Sequence, residues 1–224
     1  MRPTTLWLLP CIALLGLAAG CSDDSTNTLL TPLGDATYRV TFDAVWSAAT
    51  HPNDFPPGPH FSGLIGATHG VGASFWQPGA LASPGIESMA EAGSKSPLTA
   101  EIDAAIQNGT AGFVISGGGI SPSPGAVSVT FTISPSHSRV TLVSMIAPSP
   151  DWFVGVTGLD LIENGSWVQN KSIDLPPYDA GTDDGVSFVS PNAESTPHAP
   201  IQQITVAPFS SGVPLGTFTF VRQS

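Results

Sequence analysis

Apolar and polar residues alternate with a period of two along much of the chain. In residues 37–46, Tyr38, Val40, Phe42 and Ala44 fall on one face, while Arg39, Thr41 and Asp43 fall on the other. Successive side chains of a strand point to opposite faces, so this pattern predicts a half-buried strand. Val127, Val129, Phe131 and Ile133 repeat it between Ser and Thr residues, and a second apolar run at 138–146 follows after a hairpin-sized gap. WFVGV, SWVQNKSID, IQQITVA and GTFTFVRQ read the same way, with shorter runs at 64–67 and 73–76, giving eight or nine expected strands.

One stretch breaks the period. In residues 96–109, Leu98, Ile102 and Ile106 recur a helical turn apart, with Ser96 placed as N-cap, Pro97 in the first turn and Gly109 as the stop. Glu101 and Asp103 lie towards the N-terminal half, where the helix dipole favours carboxylates. PGIESMAEAG predicts a second, shorter helical turn. Many strands with one or two short helical insertions predict an all-β, antiparallel β-sandwich over residues 36–224, with no internal repeat.

Composition supports this picture and narrows the partners. The chain of 224 residues has 24 Gly and 22 Pro but only six Lys and Arg, so long amphipathic helices are few. Its formal charge is −11, and five basic residues face seventeen acidic ones once the first twenty residues, with Arg2, are set aside. Such a surface repels nucleic acid and anionic bilayers and attracts cations.

Residues 1–20 read as an export signal: Arg2, an apolar run from Leu6, then small residues before Cys21. LAAGC resembles a bacterial lipoprotein signal, in which cleavage precedes a Cys that becomes lipidated; the alternative is ordinary cleavage with Cys21 unmodified. By that resemblance Ser22 implies an outer-membrane destination, and residues 21–35 form a polar tether. With Cys11 in the signal and Cys21 as anchor, the body has no disulfide and relies on its core, or on a metal, for rigidity.

The densest chemistry is YDAGTDDG at 178–185. Asp179, Asp183 and Asp184 would repel one another unless water or a cation neutralises them. Gly181 lets the backbone fold back, so Asp179 and Asp183 can aim at one point, and Asp151 in APSPDW offers a third carboxylate from another loop. Calcium, which takes roughly six to eight oxygens, suits such a set, while the DAGTDDG motif taken alone reads first as a solvated acidic turn. The pattern is not an EF-hand, and the five His residues show no zinc spacing. SGGGIS at 116–121 lacks the ending of a phosphate loop and reads as a flexible loop, and no GxSxG occurs.

Together YRVTFDAVWSAATHPNDFP, HFSGLIGATHG, GALASPGIESMAEAGS, MIAPSPDWFVGV and GSWVQNKSIDLPPYDAGTDDGVSF resemble a spondin N-terminal domain. That module occurs in extracellular-matrix adhesion proteins and in secreted bacterial proteins. The resemblance implies a sandwich related to the calcium-dependent lipid-binding sandwiches, with one calcium held between loops at one end by Asp151, Asp179 and Asp183. The Cys residues that animal members carry after PSPDW are absent from DLIENGSW.

The expected function is a non-catalytic, calcium-binding, surface-anchored module for adhesion to an extracellular or envelope ligand. The alternative is a calcium-assisted hydrolase of envelope polymers, with Asp43 and Asp54 or Glu87 and Glu91 as paired acids. A lipid-contacting module is disfavoured by the negative charge.

Overall fold

Strand β1 (Ala36–Ala44) buries every second side chain, in the register that its sequence alternation predicts. The computed structural model describes residues 32–209 and 212–224, so the signal and Cys21 lie outside the described residues. After β1 come β2 (His60–Phe61), β3 (Ile65–His69), α1 (Pro84–Ala92), α2 (Ser96–Gln107), β4 (Ala111–Ser116) and β5 (Gly125–Ile133). The chain continues through β6 (Arg139–Ala147), β7 (Trp152–Asp160), β8 (Ile162–Glu163), β9 (Ser166–Trp167) and β10 (Asn170–Asp174). It ends with β11 (Tyr178–Asp179), β12 (Gln202–Gln203) and β13 (Gly216–Arg222).

Among the described residues the strands make two main antiparallel sheets. One has the order β10-β13-β1-β5; the other runs β12-β11-β7-β6-β3-β4, with β2 added against β6. The faces turned towards each other enclose Tyr38, Phe42, Leu142, Ile146, Trp152, Phe218 and Phe220 in one core. The second sheet is covered on its other face by the two helices, with Ile86, Met89, Leu98 and Ile102 against Val143, Met145 and Phe153. Covered on both faces, β6 is buried from Val140 to Ala147, which is why its sequence is a nearly unbroken apolar run.

Both helical insertions form, and α1 is a full helix of nine residues, longer than the short turn its sequence predicts. Ser83 caps it by accepting from Ile86 N–H, and Gly93 closes it in the left-handed conformation at φ 63°. Glu101 on α2 adds to that cap, accepting from Gly85 N–H and the Ser83 hydroxyl, each at 2.7 Å. The expected N-cap of α2 is corrected: Ser96 is already helical, and Lys95, itself in the αR region, holds the cap position without a side-chain bond.

Three further expectations are corrected. Residues 73–76 form no strand; Trp76 instead folds back to pack on Phe153 and Tyr178 at 5.0 and 4.9 Å. IQQITVA is regular strand only at Gln202 and Gln203, which pair with the two residues of β11. Nor is the Gly-rich stretch a loose loop: Ile120 is buried and exchanges backbone hydrogen bonds with Phe61 at 2.9 and 3.1 Å.

The sandwich has two ends. Residues Ala36 and Ile133 pair at one, where Thr37 N–H also bonds the Ser224 carbonyl. Ala44, Gly125 and Gly216 meet at the other, together with the β6–β7 turn and the loop that leaves β11.

Candidate metal centre

The second end gathers the acidic motif. Antiparallel pairing of Asp179 with Trp152 sets the residue before Trp152, Asp151, against the turn that follows β11. The main chain seals the joint, since Ala180 N–H donates to the Asp151 carbonyl at 3.2 Å. Gly181 sits at φ 75°, in the left-handed region, and a Cβ there would overlap the Ala199 carbonyl oxygen. Gly185 leaves room for Pro150, whose Cγ lies 2.6 Å from where a Cβ would stand. The two distant turns thus meet closely at Gly185, while Gly181 lets the Ala199 main chain approach.

Asp151 is fully buried. Its Oδ2 accepts from Thr182 N–H at 2.8 Å, Asp183 N–H at 3.2 Å and the Thr182 hydroxyl at 3.3 Å. Its Oδ1 is equally buried and has no hydrogen-bond partner. Burial pushes the Asp151 carboxyl up from 3.8 to about 6; the neighbouring Asp179 charge adds to the rise and the Thr182 and Asp183 donors offset part of it. Asp179 is also raised, first by burial and then by the Asp183 and Asp184 charges, against the Gly181 N–H that bonds its Oδ1 at 2.7 Å. The Trp152 indole N–H favours the Asp179 carboxylate, although it meets no acceptor at hydrogen-bond distance.

Asp183 is placed differently. Its two oxygens take Gly185 N–H at 2.7 Å and Ala193 N–H at 2.9 Å. Asp184 accepts from the Ser195 hydroxyl at 2.6 Å, and Thr182 and Ser195 join through the main chain. Among the described residues no three His, Cys, Asp or Glu side chains converge on one point. Asp151 and Asp179 therefore make the close, mutually repelling pair, and Asp183 stands beside them within reach of its charge.

The donor set suits a hard cation. A buried carboxylate oxygen normally finds a donor, and Asp151 Oδ1 has none. A divalent ion against it would relieve both the desolvation and the repulsion from Asp179, and oxygen-only ligands fit calcium. Thr182, Gly185 and Ala193 escaped the sequence reading. The signal for Gly185 was present, however, because Asp-x-Gly occurs twice, at 179–181 and 183–185, and each Asp accepts from the Gly two residues on.

The other acids lie apart. Asp43 and Asp54 are exposed on β1 and in the loop after it, and Glu87 and Glu91 lie one turn apart on α1. Asp160 accepts from Ile162 N–H at the opposite end, the turn role expected of it. His69 bonds the Thr141 hydroxyl at 2.8 Å and the Gly70 carbonyl at 2.9 Å, so it serves the core.

The Spondin_N family model matches residues 36–214, from the first strand to the loop before the last. The chain belongs to the Spondin_N family. It is 36% identical to Spondin-2 of Rattus norvegicus over 224 residues, which cover 97% of this chain and 66% of that protein. Spondin-2 of Homo sapiens is 37% identical over 84% of this chain and 57% of its own length. For Spondin-1 of Gallus gallus the identity is 37% over 77% of this chain but only 22% of that protein. The spondin-type domain thus spans under two thirds of these relatives. Among its described residues no helix is long and apolar enough to cross a membrane.

Proposed function

We propose that the chain is a non-enzymatic, exported ligand-binding or adhesion module whose loops are clasped by a calcium ion between Asp151 and Asp179, with Asp183 beside them. Membership of the Spondin_N family supports a role outside the cell in binding other molecules. The observation that carries the metal is the buried, unpartnered Asp151 Oδ1 beside the Asp179 charge. When bound, the ion supplies two positive charges and a rigid joint between the β6–β7 turn and the loop after β11. Asp151 and Asp179 would be its principal carboxylates, with Asp183 fixing the turn around them through its N–H bonds. Main-chain oxygens and water would complete the shell that calcium requires.

Thermal melting with calcium and with chelator tests this, in the wild type and in Asp179→Ala. An ion at saturating concentration contributes about 2–4 kcal/mol, so the wild-type melt rises by several degrees and that of the variant does not. Equal melts with and without calcium in the wild type would remove the metal. LAAGC supports export with lipidation at Cys21 and anchoring in a bacterial envelope. Mass spectrometry of the mature N-terminus, in wild type and Cys21→Ser, checks that placement.

A further inference from the structure

At the acidic end of the sandwich the loop leaving β11 is anchored by one aromatic ring. Phe188 packs on Trp46, Trp152 and Phe209 with centroids 5.5, 5.3 and 5.4 Å away. With Phe188 drawn inward, its neighbours Val186 and Val189 are left 83% and 70% exposed. Across from them Phe55 packs on the other side of Trp46 at 5.4 Å and carries Pro56 and Pro57 with it. Between these walls lies a cleft of about 450 Å³, lined by Phe55, Pro56, Pro57, Phe188 and Val189. Asp54, exposed and held at φ 49°, stands at its lip.

Apolar side chains this exposed beside a preformed cleft mark a contact surface. The charge around it selects the partner. No Lys or Arg occurs in residues 45–59, 148–151 or 180–201, whereas Asp54, Asp184 and Glu194 are exposed there. Four of the five basic residues of the body, Arg39, Arg139, Lys171 and Arg222, sit towards the opposite end, near the paired strand termini. An anionic bilayer or polymer would be repelled from the acidic end.

We propose that this cleft docks a cationic peptide segment of a partner protein, placing an aliphatic or aromatic side chain between the Phe55 and Phe188 walls and a Lys or Arg against Asp54. The rings beneath hold both walls in place, so little ordering is needed on binding. The proposal rests on the domain being a binding module and does not depend on the metal.

The test is an amide NMR titration of the protein with a short Leu/Lys peptide and with its Leu/Glu counterpart. The Lys peptide shifts the amides of Asp54, Phe55 and residues 186–189, and the Glu peptide does not bind. Val186→Ser with Val189→Ser weakens the Lys peptide about tenfold or more, since apolar burial is lost from exposed positions that the fold does not need. Asp54→Asn, which tolerates the left-handed backbone, weakens it and flattens its salt dependence. Absence of Lys-peptide binding, shifts centred elsewhere, or unchanged affinity in the valine variant would each overturn the cleft. A partner recovered through another face would keep the binding module while ending this proposal. Loss of the calcium melt with peptide binding intact would remove only the metal.

Discussion

Replacing Asp151 with Asn separates the cost of a buried charge from the benefit of the ion. Asp151 is fully buried, and its carboxyl is raised from 3.8 to about 6. Holding it ionised at neutral pH therefore costs about 3 kcal/mol in the metal-free protein. The sign follows from proton binding. Between about pH 4 and 6 the folded state holds more protons than the unfolded chain, so stability falls as pH rises through that window. An Asn still accepts from Thr182 and Asp183 but carries no charge, and its weaker acceptor returns part of the gain. In chelator at pH 7.5 the variant should gain about 1–3 kcal/mol, or about 3–10 °C in melting temperature. Towards pH 3 the gain should vanish, because Asp151 is then mostly protonated in both states. In calcium the order reverses, since the wild type rises and the variant does not respond. Differential scanning fluorimetry across pH, with and without calcium, reads all of these. A variant that gains nothing in chelator, or gains equally at both pH values, would refute the buried-charge argument.

Three further outcomes can be checked by the same melts and by denaturant titration. Gly181→Ala places a Cβ on the Ala199 carbonyl at a left-handed φ, and should destabilise by roughly 2–4 kcal/mol while weakening calcium binding. Glu101→Ala removes the acceptor shared by Gly85 N–H and Ser83 and should cost about 1–2 kcal/mol, with Glu101→Gln restoring part of it. His69 is lowered from 6.5, chiefly by burial, so the folded protein resists its protonation. Stability should drop as pH falls below about 6.5, and His69→Gln should abolish that component, measured as wild type minus variant.

Where structure was local, the sequence revealed it. The alternation in β1 and the helical spacing of Leu98 and Ile102 survive unchanged, because each side chain's fate depends on its nearest neighbours along the element. Trp76 defeats that logic. It lies in a β-like run, yet its ring is claimed by Phe153 and Tyr178 from strands far along the chain. At the candidate site, the closeness of Asp151 to the YDAGTDDG turn could be inferred from two carboxylate-bearing loops resembling one family. What could not be inferred is how each oxygen is spent. Asp183 is taken up by the N–H groups of Gly185 and Ala193, and the second of these depends on a chain return ten residues later. The role of Phe188 was hidden too, because an isolated Phe in a polar loop has no periodicity to betray its burial.

The backbone bond from Thr37 to Ser224 ties the start and finish of the fold together at a single pole. Any polypeptide joined ahead of the first strand or behind the last one departs from that pole. The region matched in Spondin-1 of Gallus gallus is only 22% of that protein, and chain added to this domain at such a pole would leave its far loops unobstructed.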